Sequence, residues 1–478
     1  MILKKSTSSI HVQRSRFART KTTADAILRA NERSLILEDH AISRVDVCQL
    51  AANRPIEDFY SAGKCLNSNA YLFGVFDGHG GAACSRQVSA RLFDYICASV
   101  LPKHTVMEIP LNERLQWLFS SADPILPSFV RDKHAQNVRE FYERTKRGSE
   151  FSNVRKSLRK SSRCSRIDMV SESAFTNLDN DISNGAFPDS HGRVCRMSAN
   201  VAASGSCALM AHIRRQHLHV ANAGDSQAVL CINNHGNLMA RQLSQLHTSE
   251  NLDELSRVRS EHPVSESNSI IRGWYELLTL ELFSLGDRLL GELIPLRAFG
   301  DVRYKWSMEL QRVVLEPLGI PPPRSLHTPP YLTAMPEVFY HKLTPNDKFL
   351  ILATDGLWEW LEPDTVVRLV SDHAVGAQTL SLYQPSVGRT LDEIAKDLEG
   401  RKAGESKKPI DDNSATHVIR SALGGVTGGT EKQYERLQES LQLPPGMARS
   451  WRDDITVIVV QFNSDYIAAA AAADKSSV

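Results

Sequence analysis

The sequence contains no apolar run approaching the roughly 20 residues that a membrane-spanning helix needs, so no span is expected in its 478 residues. It has no paired cysteines. Eight are scattered at positions 48, 65, 84, 97, 164, 195, 207 and 231, without a CxxC pair or regular spacing, which favours a reducing compartment over a disulfide framework. It has no excess of either charge. Lysine plus arginine (56) nearly equals aspartate plus glutamate (55), which excludes the global basic field of a nucleic-acid binder. Nor is there an internal repeat. What the chain does have is 42% hydrophobic content, enough for a substantial core in one large domain with insertions or in two.

The apolar residues are organised around aspartates. The run Tyr71-Leu72-Phe73-Gly74-Val75-Phe76 stops on Asp77-Gly78-His79-Gly80-Gly81. A continuous apolar segment of this length predicts a strand buried on both faces, and the glycines allow backbone to approach a ligand closely. Phe349 to Thr354 delivers Asp355-Gly356-Leu357-Trp358 in the same way, while Arg452-Asp453-Asp454 opens the strand-like run Ile455 to Phe462. Two further strand-like runs, His217 to Ala223 and Gln227 to Ile232, surround Gly224-Asp225-Ser226. Any one Asp-Gly pair is equally readable as a turn. Carboxylates at four strand ends are a different matter, because gathered acids repel unless cations neutralise them, and hard oxygen donors suit Mg or Mn.

Six motifs occur in order: Ile56-Glu57-Asp58, Val75 to Gly81, Ala223-Gly224-Asp225-Ser226, Arg297-Ala298-Phe299-Gly300-Asp301, Ala353 to Trp358, and Arg452 to Thr456. As a set they resemble the metal-dependent type 2C serine/threonine protein phosphatases. The segments Asn53 to Asp58, Leu243 to His247, Glu261-His262-Pro263, Asp287 to Trp306, Pro329 to Ala334 and Asn413 to His417 narrow the resemblance to the catalytic subunits of mitochondrial pyruvate dehydrogenase phosphatases.

The resemblance implies an α/β sandwich, two face-to-face antiparallel β-sheets flanked by α-helices, with a binuclear metal site at one end of the sheets. It implies two Mg or Mn ions bridged by Asp77, with the Gly78 carbonyl on one of them, Asp355 and Asp453 as further direct ligands, and Glu57 acting through water. Asp225, with Glu359 nearby, corresponds to a third, weaker metal position, and a turn-capping Asp is an equal reading of Asp225. His79 takes the role of general acid. Arg297 and Asp301 are expected to brace the loop, and Asp453 is the better ligand candidate than Asp454. The main departure is Asn53, where many relatives carry a phosphate-gripping arginine; Arg54 cannot simply be taken as its replacement.

The activity implied is Mg- or Mn-dependent dephosphorylation of phosphoserine on the pyruvate dehydrogenase alpha subunit. The implied partners are the lipoyl domain of the acetyltransferase core and a regulatory subunit. Two alternatives stay open, another mitochondrial phosphoprotein as substrate and a non-catalytic scaffold. Residues 1–43 form a basic N-terminal segment, with Lys4, Lys5, Arg14, Arg16, Arg19 and Lys21 and no acid before Asp25, a composition shared by transit peptides and basic tails; with the resemblance it predicts the mitochondrial matrix. A catalytic domain over 44–463 is expected to carry an Arg/Lys/Ser-rich insertion at 144–166, read as a solvated loop or a docking element. A low-complexity tail is expected over 464–478.

Overall fold

The computed structural model describes residues 23–37, 41–100, 110, 113–119, 128–155, 166–278, 281–374, 388–402, 410–427, 429–443 and 446–476. The expected pair of antiparallel sheets with accompanying helices is present, and the chain divides into two compact units that each contain one six-stranded sheet.

The first unit comprises residues 1–56, 229–241 and 346–463. Its sheet runs Arg33–Ile36, Ile42–Leu50, Ile455–Phe462, Asp347–Ala353, Gln227–Asn234, Asn237–Gln242. The centre is built from β-branched and aliphatic residues, and Ile455 to Val460 are all buried, as a strand covered on both faces requires. Helices Pro363–Ala374 and Ser414–Gly424 bury Val366, Val367, Val418 and Ile419 in the same core as Ile351, Val457 and Val459. Antiparallel pairing sets Ala353 opposite Val457 and Leu50 opposite Ile455. The entry of one strand and the exits of its two neighbours therefore meet, which places Asp355, Asp453-Asp454 and the 51–53 loop at one end of this sheet.

The second unit comprises residues 57–228, 242–345 and 464–478. Its sheet order is Glu337–Lys342, His217–Ala223, Ala208–Arg214, Ala70–Phe76, Phe59–Cys65, Leu115–Trp117. The strand predicted at 71–76 is observed as Ala70–Phe76 and is buried at every position, and helix Ala83–Ser99 covers it through Val88, Leu92 and Phe93. Pairing of Phe59 with Phe76, Val75 with Leu209 and Ala208 with Ala223 brings Glu57, Asp77, Cys207 and Asp225 to one end of this sheet. A short three-stranded ribbon of Gly78–His79, Gly205–Ser206 and Phe299–Gly300 continues from that end.

Two boundaries differ from the sequence reading. Folded structure starts before residue 44. Residues 23–29 are helical, Leu28 is buried, and Asp25 meets the buried Arg420 guanidinium at 2.7 Å. The alanine-rich end is a helix, Ser464–Ser476, docked on the second unit by buried Ile467 and a 2.8 Å bond from Gln216 Nε2 to the Ile467 carbonyl. Composition does not show either attachment, because the partners, such as Arg420 for Asp25 and Gln216 for Ile467, lie far away in sequence. The 144–166 stretch begins as the end of helix Ser128–Arg155, and residues 156–165 lie outside the described residues, as does the basic segment 1–22.

Candidate active site

In the second unit Asp77 leaves the buried strand and is itself only 8% exposed. Oxygens of Asp77 and Asp225 lie within 4.8 Å of one another. Cys207 organises both. Its N–H donates to the Asp77 carbonyl at 2.8 Å, and its thiol reaches the Asp225 carboxylate at 3.1 Å. Burial, and then the Asp225 and Asp77 charges, hold that thiol well above the ordinary cysteine range, so it stays a neutral donor. Glu57 is drawn to the same sheet end, where Ser85 Oγ donates to its carbonyl at 2.5 Å.

His79 sits in the ribbon with Nε2 2.6 Å from Asp301 Oδ2, its side chain 23% exposed against 6% for Asp301. Burial pulls the imidazole pKa down, but the Asp301 carboxylate outweighs it and holds the pKa above the usual histidine value. This pairing needs Gly205, since a Cβ there would stand 1.9 Å from His79 Nε2 and 2.3 Å from Asp301 Oδ2. Asp301 adopts φ 50°, in the left-handed region that a residue other than glycine adopts only when its surroundings hold it there. Arg297 points elsewhere. Its guanidinium grips Glu254 bidentately at 2.8 and 2.7 Å and donates to the Met335 carbonyl at 2.9 Å.

The first unit presents Asp355 at the start of the short helix Asp355–Trp358, with exposed Glu359 closing that turn through a 3.0 Å bond to the Asp355 carbonyl. Gly356 packs against the 453–454 backbone so closely that a Cβ would lie 2.1 Å from the Asp454 carbonyl oxygen. Asp454 is buried and accepts from the N–H of Ala52 (2.5 Å), the N–H of Asn53 (2.8 Å) and the Asn53 side-chain amide (3.1 Å). Asp453 is the more accessible acid. It accepts from the Asp454 N–H at 2.6 Å and forms an ion pair with Arg449. Arg54 is exposed.

Sequence reasoning alone missed Cys207, Gly205 and Arg449. The Gly205-Ser206-Cys207 run matters because it pairs with both motif strands, a contact that the sequence does not show. Arg449 carried no signal beyond being four residues from Asp453. The donor set of carboxylate oxygens within a few ångströms fits a hard divalent cation better than a soft one.

Comparison with known proteins identifies the family. The Protein phosphatase 2C family model matches residues 107–398, more than half of the chain. The mitochondrial pyruvate dehydrogenase (acetyl-transferring) phosphatase 1 of Homo sapiens is 40% identical over 95% of this chain and 85% of its own. Phosphatase 2 from the same organism is 40% identical over 93% and 83%. A solved serine-threonine phosphatase 2C from Toxoplasma gondii aligns with 90% of this chain and 98% of its own, at 16% identity and a TM-score of 0.45. Among the described residues no helix is long and apolar enough to cross a membrane. The chain belongs to the protein phosphatase 2C family and is a metal-dependent protein phosphatase, similar over nearly its whole length to the mitochondrial pyruvate dehydrogenase phosphatases.

Proposed function

We propose that this phosphatase removes phosphate from serine on the pyruvate dehydrogenase alpha subunit and so reactivates the complex, in the mitochondrial matrix. What carries the reading is relatedness at 40% identity across 95% of the chain to enzymes named for that substrate, with every acid of the motif set retained. By the same relatedness, the lipoyl domain of the acetyltransferase core and a regulatory subunit are the expected partners.

Asp77, the Gly78 carbonyl, Asp355 and Asp453 would hold two Mg or Mn ions, with Glu57 reaching one through water and Asp225 serving a third. Bound divalent cations supply Lewis-acid charge and a water acidic enough to ionise near neutral pH. In the displacement, the new bond forms between water oxygen and phosphorus while the bond from phosphorus to serine oxygen breaks. The departing oxygen needs a proton, and His79 gives it. With Nε2 committed to Asp301, Nδ1 is the nitrogen left to make that delivery, and the carboxylate keeps the ring charged until it does. Asp454 and Arg297 act as braces, fixing the 51–53 loop and the Arg297 to Asp301 turn.

The test compares release of phosphate from phosphorylated pyruvate dehydrogenase alpha subunit with release from unrelated phosphoserine proteins, with manganese or chelator, and with or without lipoyl domain. The expected result is metal-dependent turnover that favours the alpha subunit and rises with the lipoyl domain. Equal rates on all substrates would remove the substrate assignment. Manganese-replete protein as inactive as the chelated protein would remove the enzymatic one.

A further inference from the structure

A phosphoserine substrate brings a phosphoryl group with nearly two negative charges, and on the phosphatase reading, on which this inference rests, a protein cation beside the metal ligands would add to its hold. Four positions near the first unit's acids could be considered; among the described residues exposed Arg54 has no ion pair with these acids, and two others are already committed. Asn53 is no cation, and its backbone and side chain are both given to Asp454. Arg452 is 7% exposed and donates to the backbone carbonyls of Ala51 at 2.7 Å and Asp453 at 3.3 Å. Arg449 is different. It lies on the single turn Ala448–Ser450, its side chain is 48% exposed, and its ion pair is with Asp453, an expected metal ligand. The charges of Asp355 and Asp454 act on it as well. On either side Met447 is 50% and Trp451 69% exposed, so the turn is open to a partner the size of a protein.

We propose that Arg449 is the residue that binds the substrate phosphoryl group, taking the place of the arginine that Asn53 displaces. One carboxylate cannot fully satisfy both a guanidinium and a divalent cation. When Asp453 is engaged by metal, its hold on Arg449 weakens, and the half-exposed guanidinium can turn its planar fork to two phosphoryl oxygens at once. A lysine at this position would keep the charge and lose the fork.

Arg449→Gln and Arg449→Lys test this in the full-length chain. Calorimetry measures manganese uptake and then the affinity of inorganic phosphate for the manganese-loaded protein, alongside KM and kcat on the phosphorylated alpha subunit. Arg449→Gln is expected to weaken phosphate binding and raise KM roughly tenfold or more, the loss of a charge-assisted bidentate contact, with manganese affinity unchanged or tighter. Arg449→Lys should fall between Gln and the parent, and it remains informative if Arg449→Gln folds poorly. Tighter manganese binding with phosphate affinity and KM unmoved in both variants would overturn the proposal, reducing Arg449 to a counter-ion of Asp453 while leaving the phosphatase reading intact. Parent protein that neither takes up manganese nor hydrolyses phosphoserine would instead overturn the phosphatase reading.

Discussion

The two units treat their acids in opposite ways. In the second, Asp77 and Asp225 stand within 4.8 Å of each other, and the neighbour that organises them is a neutral cysteine. In the first, Asp453 carries its own arginine and Asp454 is answered by three N–H donors. Carboxylates held close beside a neutral group gain most from a cation that comes from outside, whereas those already matched within the chain must exchange a partner to accept one. On the proposal for Arg449, this chain therefore combines acids that gain from an incoming cation with an arginine that such a cation would release.

The comparison is broken most directly at its acids. Asp77→Asn and Asp453→Asn should each lower metal-dependent hydrolysis of an aryl phosphate by about a thousandfold or more, the loss expected when several kcal/mol of charge stabilisation is removed. Their stabilities in chelator should move in opposite directions. Asp77→Asn relieves repulsion and raises the melting temperature, while Asp453→Asn strands Arg449 and lowers stability by less than about 1 kcal/mol, because that pair is half exposed. Thermal melts of both variants in chelator decide it, and shifts of the same sign would erase the distinction between the units.

A smaller effect is expected at the ribbon. Asp301→Asn keeps the shape beside His79 and removes the charge that orients it. We expect kcat on phosphoprotein to fall by about 100-fold, the lower end for a positioned acid, with KM little changed. If Asp301 works through His79, the double variant with His79→Asn should be no slower than His79→Asn alone. Multiplying losses would show that Asp301 acts by some other route.

Individual strands were legible in local pattern, whereas the sandwich and the ligand set came from the family resemblance. The apolar run 71–76 ahead of Asp-Gly-His predicted a strand buried on both faces, and the structure buries all of residues 70–76. The pairing of acids across strands followed less directly, since period and composition place Asp355 and Asp453 at strand ends but do not say that those strands are neighbours. What could not be read were partners chosen by contact alone. Gly205 is one, required by atoms of His79 and Asp301 that lie far away in sequence. Asp454 is another. As a sequence feature it was merely the acid less suited to bind metal, but three hydrogen bonds make it the reason the Asn53 loop stays in place. The attachments of residues 23–29 and of the alanine-rich helix were hidden similarly, since each depends on partners remote in sequence, Arg420 and Tyr434 for Asp25 and Gln216 for Ile467.

The sharpest contrast with Asp77 and Asp225 is an acid in their own unit. Glu254 is 4% exposed and is met by Arg297 bidentately and by Arg257 at 2.6 Å. Burial alone would raise its pKa, yet the two guanidinium groups outweigh that and bring it from 4.5 to about 2. A carboxyl whose pKa is lower in the folded state stabilises fully above its unfolded value and loses that contribution as pH falls toward the folded one. Glu254→Gln should therefore cost about 3 kcal/mol near pH 7, the usual penalty for breaking a buried pair, and the gap to the parent should narrow by about 1.4 kcal/mol by pH 3.5. Urea unfolding of both proteins at the two pH values measures it. A gap that stays constant would mean that Glu254 contributes by packing and shape, and that pairing with arginine does not set it apart from Asp77 and Asp225.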